Sequence, residues 1–475
     1  MKTLDAMQRV AAPLGDAVVL DARGQVSLRK PDALPGAVEA VVRTAVLGEE
    51  PDRSLARLLI RRLALQAGVI PASIHDLYIA RGRGAVRTDF TVPAINLRAL
   101  TFLAARTVFR AAQAAEAGAF IFEIARSEIG YTDQRPAEYS ACVLGAALAE
   151  GYRGPVFIQG DHFQVSAKRY ADKPEAELQA VRDLTAEAVE AGFFNIDIDT
   201  STLVDLSRDT IPEQQELNYR LCAELSAHIR SLEPQGVTVS VGGEIGEVGG
   251  HNSTEPELRA FMDGYNAVLA ELAPGAAGLS KISIQTGTSH GGVVLPDGSI
   301  AQVKVDFDTL AQLSTIAREA YGLAGAVQHG ASTLPEEAFV RFAQAGACEV
   351  HLATGFQNLL YDRMPDSLRS EIYAWLEKNF AGDRKSGESD DQFHYKTRKQ
   401  ALGPFKPRLW DLPSGAFGAI EGAWEQQFRL LFDRLQVGGT RREVQDHIRA
   451  VPVPPSARAY LGSTAGGEDV SDLAD

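Results

Sequence analysis

Between residues 88 and 380 the chain repeats one unit eight times, a short apolar run rich in β-branched residues followed by a longer alanine-rich stretch of helical period. Strands joined through helices in this way come back parallel to one another, so the pattern restricts the chain to a parallel sheet covered by helices. The runs are FTVPAIN near 90–96, AFIFEIA near 119–125, PVFIQGDH at 155–162, FNIDIDTST near 194–202, VTVSVGGEIG at 237–246, KISIQTG at 281–287, GAVQHG at 325–330 and CEVHLAT at 348–354. Helices are predicted between them, for example over 175–192 and over 335–346, where proline and acids favour a start and glycine a stop. Eight repeats predict an α/β protein built as a (β/α)8 TIM barrel, with a doubly wound open sheet as the competing architecture.

The flanks divide the chain further. Residues 1–87 predict a helical N-terminal extension, 88–380 the barrel catalytic domain, 381–460 a C-terminal loop and helices, and 461–475 a disordered acidic tail. A formal charge of −15 and the lack of any Lys/Arg-rich run argue against nucleic acid as a partner. Cys142, Cys222 and Cys348 stand far apart with no metal or disulfide spacing, which predicts buried thiols in a reducing compartment. Aspartates interrupt the N-terminal segment, and no stretch approaches the ~18 uncharged apolar residues of a membrane span. The expectation is a cytoplasmic protein with no membrane contact.

Three of the strand-like runs finish on or beside a histidine: His162 after Asp161, His290 in TSHGG, and His329 in QHGAST. In a barrel the C-terminal strand ends face one mouth, so residues distant in sequence converge there. Three imidazoles at such positions form the ligand set of a catalytic Zn²⁺ with one open coordination place.

The order GDH, GGEIG, TSHGG, QHGAST and then a last-strand motif resembles the class II, zinc-dependent ketose-bisphosphate aldolases, the fructose- and tagatose-bisphosphate group. The similarity runs over about residues 88–400 and includes FTVPAIN and AGFFNIDIDTST. It implies that His162, His290 and His329 hold Zn²⁺ or another divalent metal and that Asp161 donates a proton to the aldehyde or its alkoxide. It implies a lyase that makes or breaks a C–C bond in a phosphorylated sugar through a metal-stabilised enediolate. Glu244 becomes a carboxylate near the metal, and Asp199, with Asp197 as rival, an acid approaching the same region. Asn96, Gly291, Gly330, Ser332, His351 and Thr354 fall where the family contacts substrate and phosphate. The carbonyls of Gly291 and Gly330 are candidates for a monovalent cation. Phosphate held by backbone N–H groups at glycine-rich strand ends reconciles an acidic chain with an anionic substrate.

The pattern also departs from the family. The last strand reads His351-Leu352-Ala353-Thr354 in place of Asn-Ile-Asp-Thr, which puts fructose bisphosphate in doubt. The loop after the fifth strand reads GGHNST, so the proton-abstracting base is either Glu247 or His251. The second strand lacks the Gln-x-Ser contact and shows FEIARSEIGYTD, closer to the non-catalytic partner subunit of tagatose-bisphosphate aldolase. A non-catalytic barrel subunit and a zinc hydrolase on the same barrel are therefore the alternatives to a metal-dependent aldolase. A homo-oligomer is expected.

Overall fold

The computed structural model describes residues 2–246, 251–287, 305–457, 460 and 472–473. Its centre is a ring of parallel strands: β1 (Val92–Asn96), β2 (Ile121–Ala125), β3 (Gly154–Gln164), β4 (Asn195–Asp199), β5 (Ser240–Glu244), β6 (Lys281–Ile284), β7 (Ala326–Gln328) and β8 (Glu349–Leu352). Each strand pairs with the next, and β8 returns to β1 with His351 opposite Ala94. That last pairing closes the sheet, so the fold is the (β/α)8 TIM barrel and the open sheet is excluded.

The connecting helices follow their local signals with one exception. The helix expected over 175–192 is Pro174–Ala191, opened by its proline and ended by Gly192 at φ 94°. The one expected over 335–346 is broken into a tight turn, Glu336–Ala338, and a short helix, Val340–Gln344. Phe339 and Phe342 are both buried and lie three residues apart, a spacing that a 3-residue turn brings onto one face.

Residues before β1 are not all helical. A hairpin pairs Val18–Leu20 with Val26–Leu28, and the strand Val69–Ala72 runs parallel to the first half of β3. The helix His75–Gly82 then covers the N-terminal end of the barrel. Its Arg81, fully buried, donates to the carbonyls of Phe90 at 2.7 Å, Thr88, Ala324 and Ala347 at 3.1 Å, and Gly346 at 3.3 Å. Those carbonyls lie just ahead of β1, β7 and β8, so one guanidinium satisfies backbone acceptors that the barrel floor would otherwise bury unpaired.

On the other flank the helix Ser414–Arg434 packs along the helix Thr101–Ala114. Arg110 pairs there with Glu421 at 2.6 Å and Glu425 at 2.8 Å, and Trp424 Nε1 donates to the Phe356 carbonyl at 2.9 Å. Of the acidic tail, Asp472 accepts hydrogen bonds from Ser166 and Arg169, and the rest, Leu473 aside, lies outside the described residues. Cys142, Cys222 and Cys348 are buried free thiols. No helix among the described residues is long and apolar enough to cross a membrane.

The strand β3 is irregular near its C-terminal end. Gly160 pairs with Ile196, but Phe163 pairs with Ile198, so β3 carries an extra residue between them. The chain absorbs it by placing His162 at φ 38°, in the left-handed region that a non-glycine side chain enters at a cost. Gly160 leaves room for the fold-back of Phe163, since a Cβ there would sit 2.4 Å from the tip of that buried ring. Gly160→Ala is expected to lose about 1–3 kcal/mol of stability by overpacking, read as a lower urea midpoint at unchanged slope.

Candidate metal centre

In a regular strand Asp161 and His162 would face opposite sides of the sheet. The extra residue in β3 turns both toward the interior of the mouth, where both are buried and Asp161 Oδ1 lies 4.0 Å from His162 Nε2. His329 follows β7 directly, and its ring centroid is 4.3 Å from that of His162. Donor atoms of Asp161, His162 and His329 lie within 4.8 Å of one another, a spacing that one cation can bridge.

Carboxylates surround the other nitrogen of His162. Its Nδ1 is 3.2 Å from Asp199 Oδ2 and 3.3 Å from Glu244 Oε2. A ring that donates Nδ1–H to a carboxylate presents Nε2 as the basic nitrogen, which is how metal-ligating histidines are commonly oriented. Gln164 Nε2 donates to the same Asp199 oxygen at 2.6 Å, and Ser201 anchors the other at 2.6 Å. Burial alone would raise Asp199, but these hydrogen bonds and the adjoining His162 hold it below the usual carboxylate range. Glu244 is raised, by burial first and by the neighbouring Asp199 second. On His329, Nε2 is 3.0 Å from Ser283 Oγ. The donor set suits a divalent ion: two imidazoles and a carboxylate with oriented outer partners.

Deeper in the barrel lies a charged layer in which the sequence pattern singled out Asp197 and His351 but not Lys281, Glu349 or Glu123. Lys281 on β6 is fully buried, and its ammonium donates to Gln159 Oε1 and Asp197 Oδ2, both at 2.8 Å, and to Glu349. Tyr78, from the helix under the floor, donates to the other oxygen of Glu349. All three N–H bonds of Lys281 are thus engaged. Burial disfavours its charge, but Asp197 and Glu349 outweigh this and keep it protonated, so it is not poised as an amine nucleophile. Burial pushes Asp197 up to about 6, while Lys281 and His351 hold Glu349 low against the same burial. Glu123 on β2 is pushed up to about 8, by burial first and the nearby Asp161 second.

His351 of β8 belongs to this layer. Its ring centroid is 4.0 Å from that of His329, Nε2 is 2.7 Å from Glu349 Oε1, and Nδ1 is 3.1 Å from both Glu123 Oε2 and Asp161 Oδ1. Both nitrogens thus face carboxylates. Asn96 donates to Glu128, which also pairs with Arg98. Ser332 Oγ accepts from the Ala353 amide at 2.7 Å and ties the loop after β7 to the start of the helix Thr354–Arg363, whose Thr354 is buried. Gly330 stands at φ 69°, a conformation that favours glycine. His251 is exposed and its Nδ1 contacts the Asn252 carbonyl at 2.8 Å, with no contact to the cluster among the described residues. Glu247, His290 and Gly291 lie outside the described residues.

The residues of this layer share one signal. Along the strands the polar positions sit two apart, as in Gln159/Asp161, Asp197/Asp199, Lys281/Ser283 and Glu349/His351, which is the period of a barrel-facing stripe.

Compared with known families, residues 83–404 match the family described as fructose-bisphosphate aldolase class-II. No curated protein sequence gives a significant match. Among solved structures, the fructose-bisphosphate aldolase of Campylobacter jejuni is 16% identical over 79% of this chain and 99% of that one, with a TM-score of 0.45. A probable tagatose 6 phosphate kinase from Sinorhizobium meliloti 1021 is also 16% identical, over 78% of this chain and 97% of that one, with a TM-score of 0.52, a likeness of fold alone.

Proposed function

The chain belongs to the class II fructose-bisphosphate aldolase family, and on that footing we propose that it is a metal-dependent lyase that makes or breaks a C–C bond in a phosphorylated ketose. The observation that carries the reading is the meeting of His162 and His329, rings 4.3 Å apart, with Asp161 beside them at the C-terminal mouth of a closed barrel.

In this reading His162 and His329, with His290 as third candidate, hold Zn²⁺ or another divalent ion. Such an ion, when bound, supplies Lewis acidity that stabilises the negative charge developing beside a ketone as a proton leaves. Asp199 and Glu244 fix the tautomer of His162. Asp161 gives its proton to the aldehyde oxygen, and its buried setting next to the ligands excludes water from that exchange. Glu247 or His251 removes the proton from carbon. Gly330, Ser332 and Thr354, with Gly291, offer the phosphate their backbone N–H groups and hydroxyls, and Gly291 and Gly330 their carbonyls to a monovalent cation. Asn96 and His351 complete the substrate contacts. The same proposal includes a homo-oligomer in the cytoplasm.

Elemental analysis of the purified protein with a cleavage screen over ketose phosphates, run with and without chelator, tests it. Bound divalent metal and chelator-sensitive release of an aldehyde are expected. Absence of stoichiometric metal would favour the non-catalytic barrel subunit, and metal-dependent hydrolysis without exchange of the α-proton would favour a hydrolase. Asp161→Ala is expected to keep the ion at the histidine pair while turnover falls about 10²–10³-fold, the scale of a lost general acid.

A further inference from the structure

The interior of the barrel holds a second set of donors that the proposed mechanism leaves without a metal. His351 Nδ1 lies 3.1 Å from Glu123 Oε2 and 3.1 Å from Asp161 Oδ1, and the three donor atoms fall within 4.8 Å of one another. All three side chains are buried, at 5%, 0% and 5% exposure for His351, Glu123 and Asp161. Despite this closeness, His351 Nδ1 and Asp161 Oδ1 make no hydrogen bond among the described residues, while Glu123 Oε2 accepts one from Gln159 Nε2 at 3.0 Å. Buried polar atoms of this kind are normally paired, and two of them facing each other at 3.1 Å require an explanation.

The other side of the ring supplies it. His351 Nε2 is 2.7 Å from Glu349 Oε1, a carboxylate that also receives Lys281 and Tyr78, so Nε2 carries the hydrogen and donates it there. Nδ1 then turns its lone pair toward two carboxylate oxygens. Three polar atoms converge there, an arrangement that is repulsive unless a proton or a metal cation occupies the middle. Atoms that each lie about 2.0–2.2 Å from one ion sit roughly 3.0–3.5 Å from one another, which is the spacing of Nδ1 from each of the two carboxylate oxygens. The Glu349–His351 pair repeats the carboxylate–imidazole orientation common at metal sites.

We propose that Glu123, Asp161 and His351 bind a second divalent cation, bridged by Asp161 Oδ1 to the one at His162 and His329. One imidazole and two carboxylates suit Mn²⁺ or Zn²⁺. The site stands on the geometry of these three residues and does not depend on the aldolase reading. It gives Asp161 a task as a bridging ligand in addition to any proton it transfers.

The test counts ions on the full chain, stripped with chelator and reloaded with Mn²⁺ alone. The parent is expected to bind two Mn²⁺ per chain and to show the exchange-coupled EPR signal of a bridged pair. Glu123→Gln and His351→Asn, each close in shape to the residue replaced, are expected to bind one and to lose the coupling, while His329→Ala loses the other ion. Thermal melts of each variant show whether it is folded, and the parent's count and EPR signal need no variant at all. A parent that binds one ion or none overturns the second site, as does a count of two that both conservative variants leave unchanged. A single ion that is lost in His329→Ala but kept in Glu123→Gln would leave the histidine centre standing and assign His351 instead to an imidazolium shared by its carboxylates.

Discussion

His329→Ala is expected to cost the protein one divalent ion per chain and to lower turnover at least about 10⁴-fold. The size follows from what the ligand does. An ion that stabilises charge at the reacting carbon is worth several kcal/mol, and about 5.5 kcal/mol corresponds to 10⁴ in rate. His329 leaves β7 with its ring 4.3 Å from His162, and no other imidazole among the described residues except His351, already turned toward Glu349, is near enough to replace it. Elemental analysis of the purified variant beside its turnover on the cleaved ketose phosphate decides the matter. Metal retained at the parent's stoichiometry would remove His329 from the ligand set, whatever the activity.

The largest loss of stability is expected from Lys281→Met. The substitution keeps most of the side chain's volume but removes the cation from between Asp197 and Glu349, both buried and both within hydrogen-bond reach of its nitrogen. Breaking a buried pair while leaving its partners in place costs about 3–5 kcal/mol, because an uncompensated charge stays in the interior. Two acids are stranded here, so the upper part of that range is expected. Lys281→Met combined with Glu349→Gln is expected to recover part of the loss, since the amide oxygen still accepts from His351, the amide NH2 donates to the Tyr78 hydroxyl oxygen, and one stranded charge is gone. Urea unfolding followed by tryptophan fluorescence measures both. A single variant within about 1 kcal/mol of the parent would show that the acids hold protons of their own in the folded state.

How far the sequence could be read differs by element. The barrel was legible because its eight strands are short runs rich in apolar and β-branched residues and its helices carry start and stop residues, so composition and punctuation agree. His162 and His329 were legible for a related reason: in this fold the strand ends are where chemistry is placed, and both finish a run. The charged layer was not, because Glu123, Lys281 and Glu349 sit inside apolar runs where a single polar letter reads as noise, and only the two-residue spacing across several strands together marks a shared interior. The bulge at Gly160–Phe163 was beyond reach, since it exists only as a mismatch of register with β4. The break at Glu336–Ala338 escaped for the same kind of reason, a tertiary demand on Phe339 and Phe342 overriding helical propensity.

Arg81 has a consequence in time. Its carbonyl partners at Ala324, Gly346 and Ala347 stand 243, 265 and 266 residues further along the chain. At synthesis rates of about 5–20 residues per second, that guanidinium waits on the order of 12–50 s after leaving the ribosome before these three acceptors exist. During that interval the first turn of the cylinder has a floor with no walls to stand under, and the nascent chain has to keep the helix His75–Gly82 in water until the last two strands arrive to cover it.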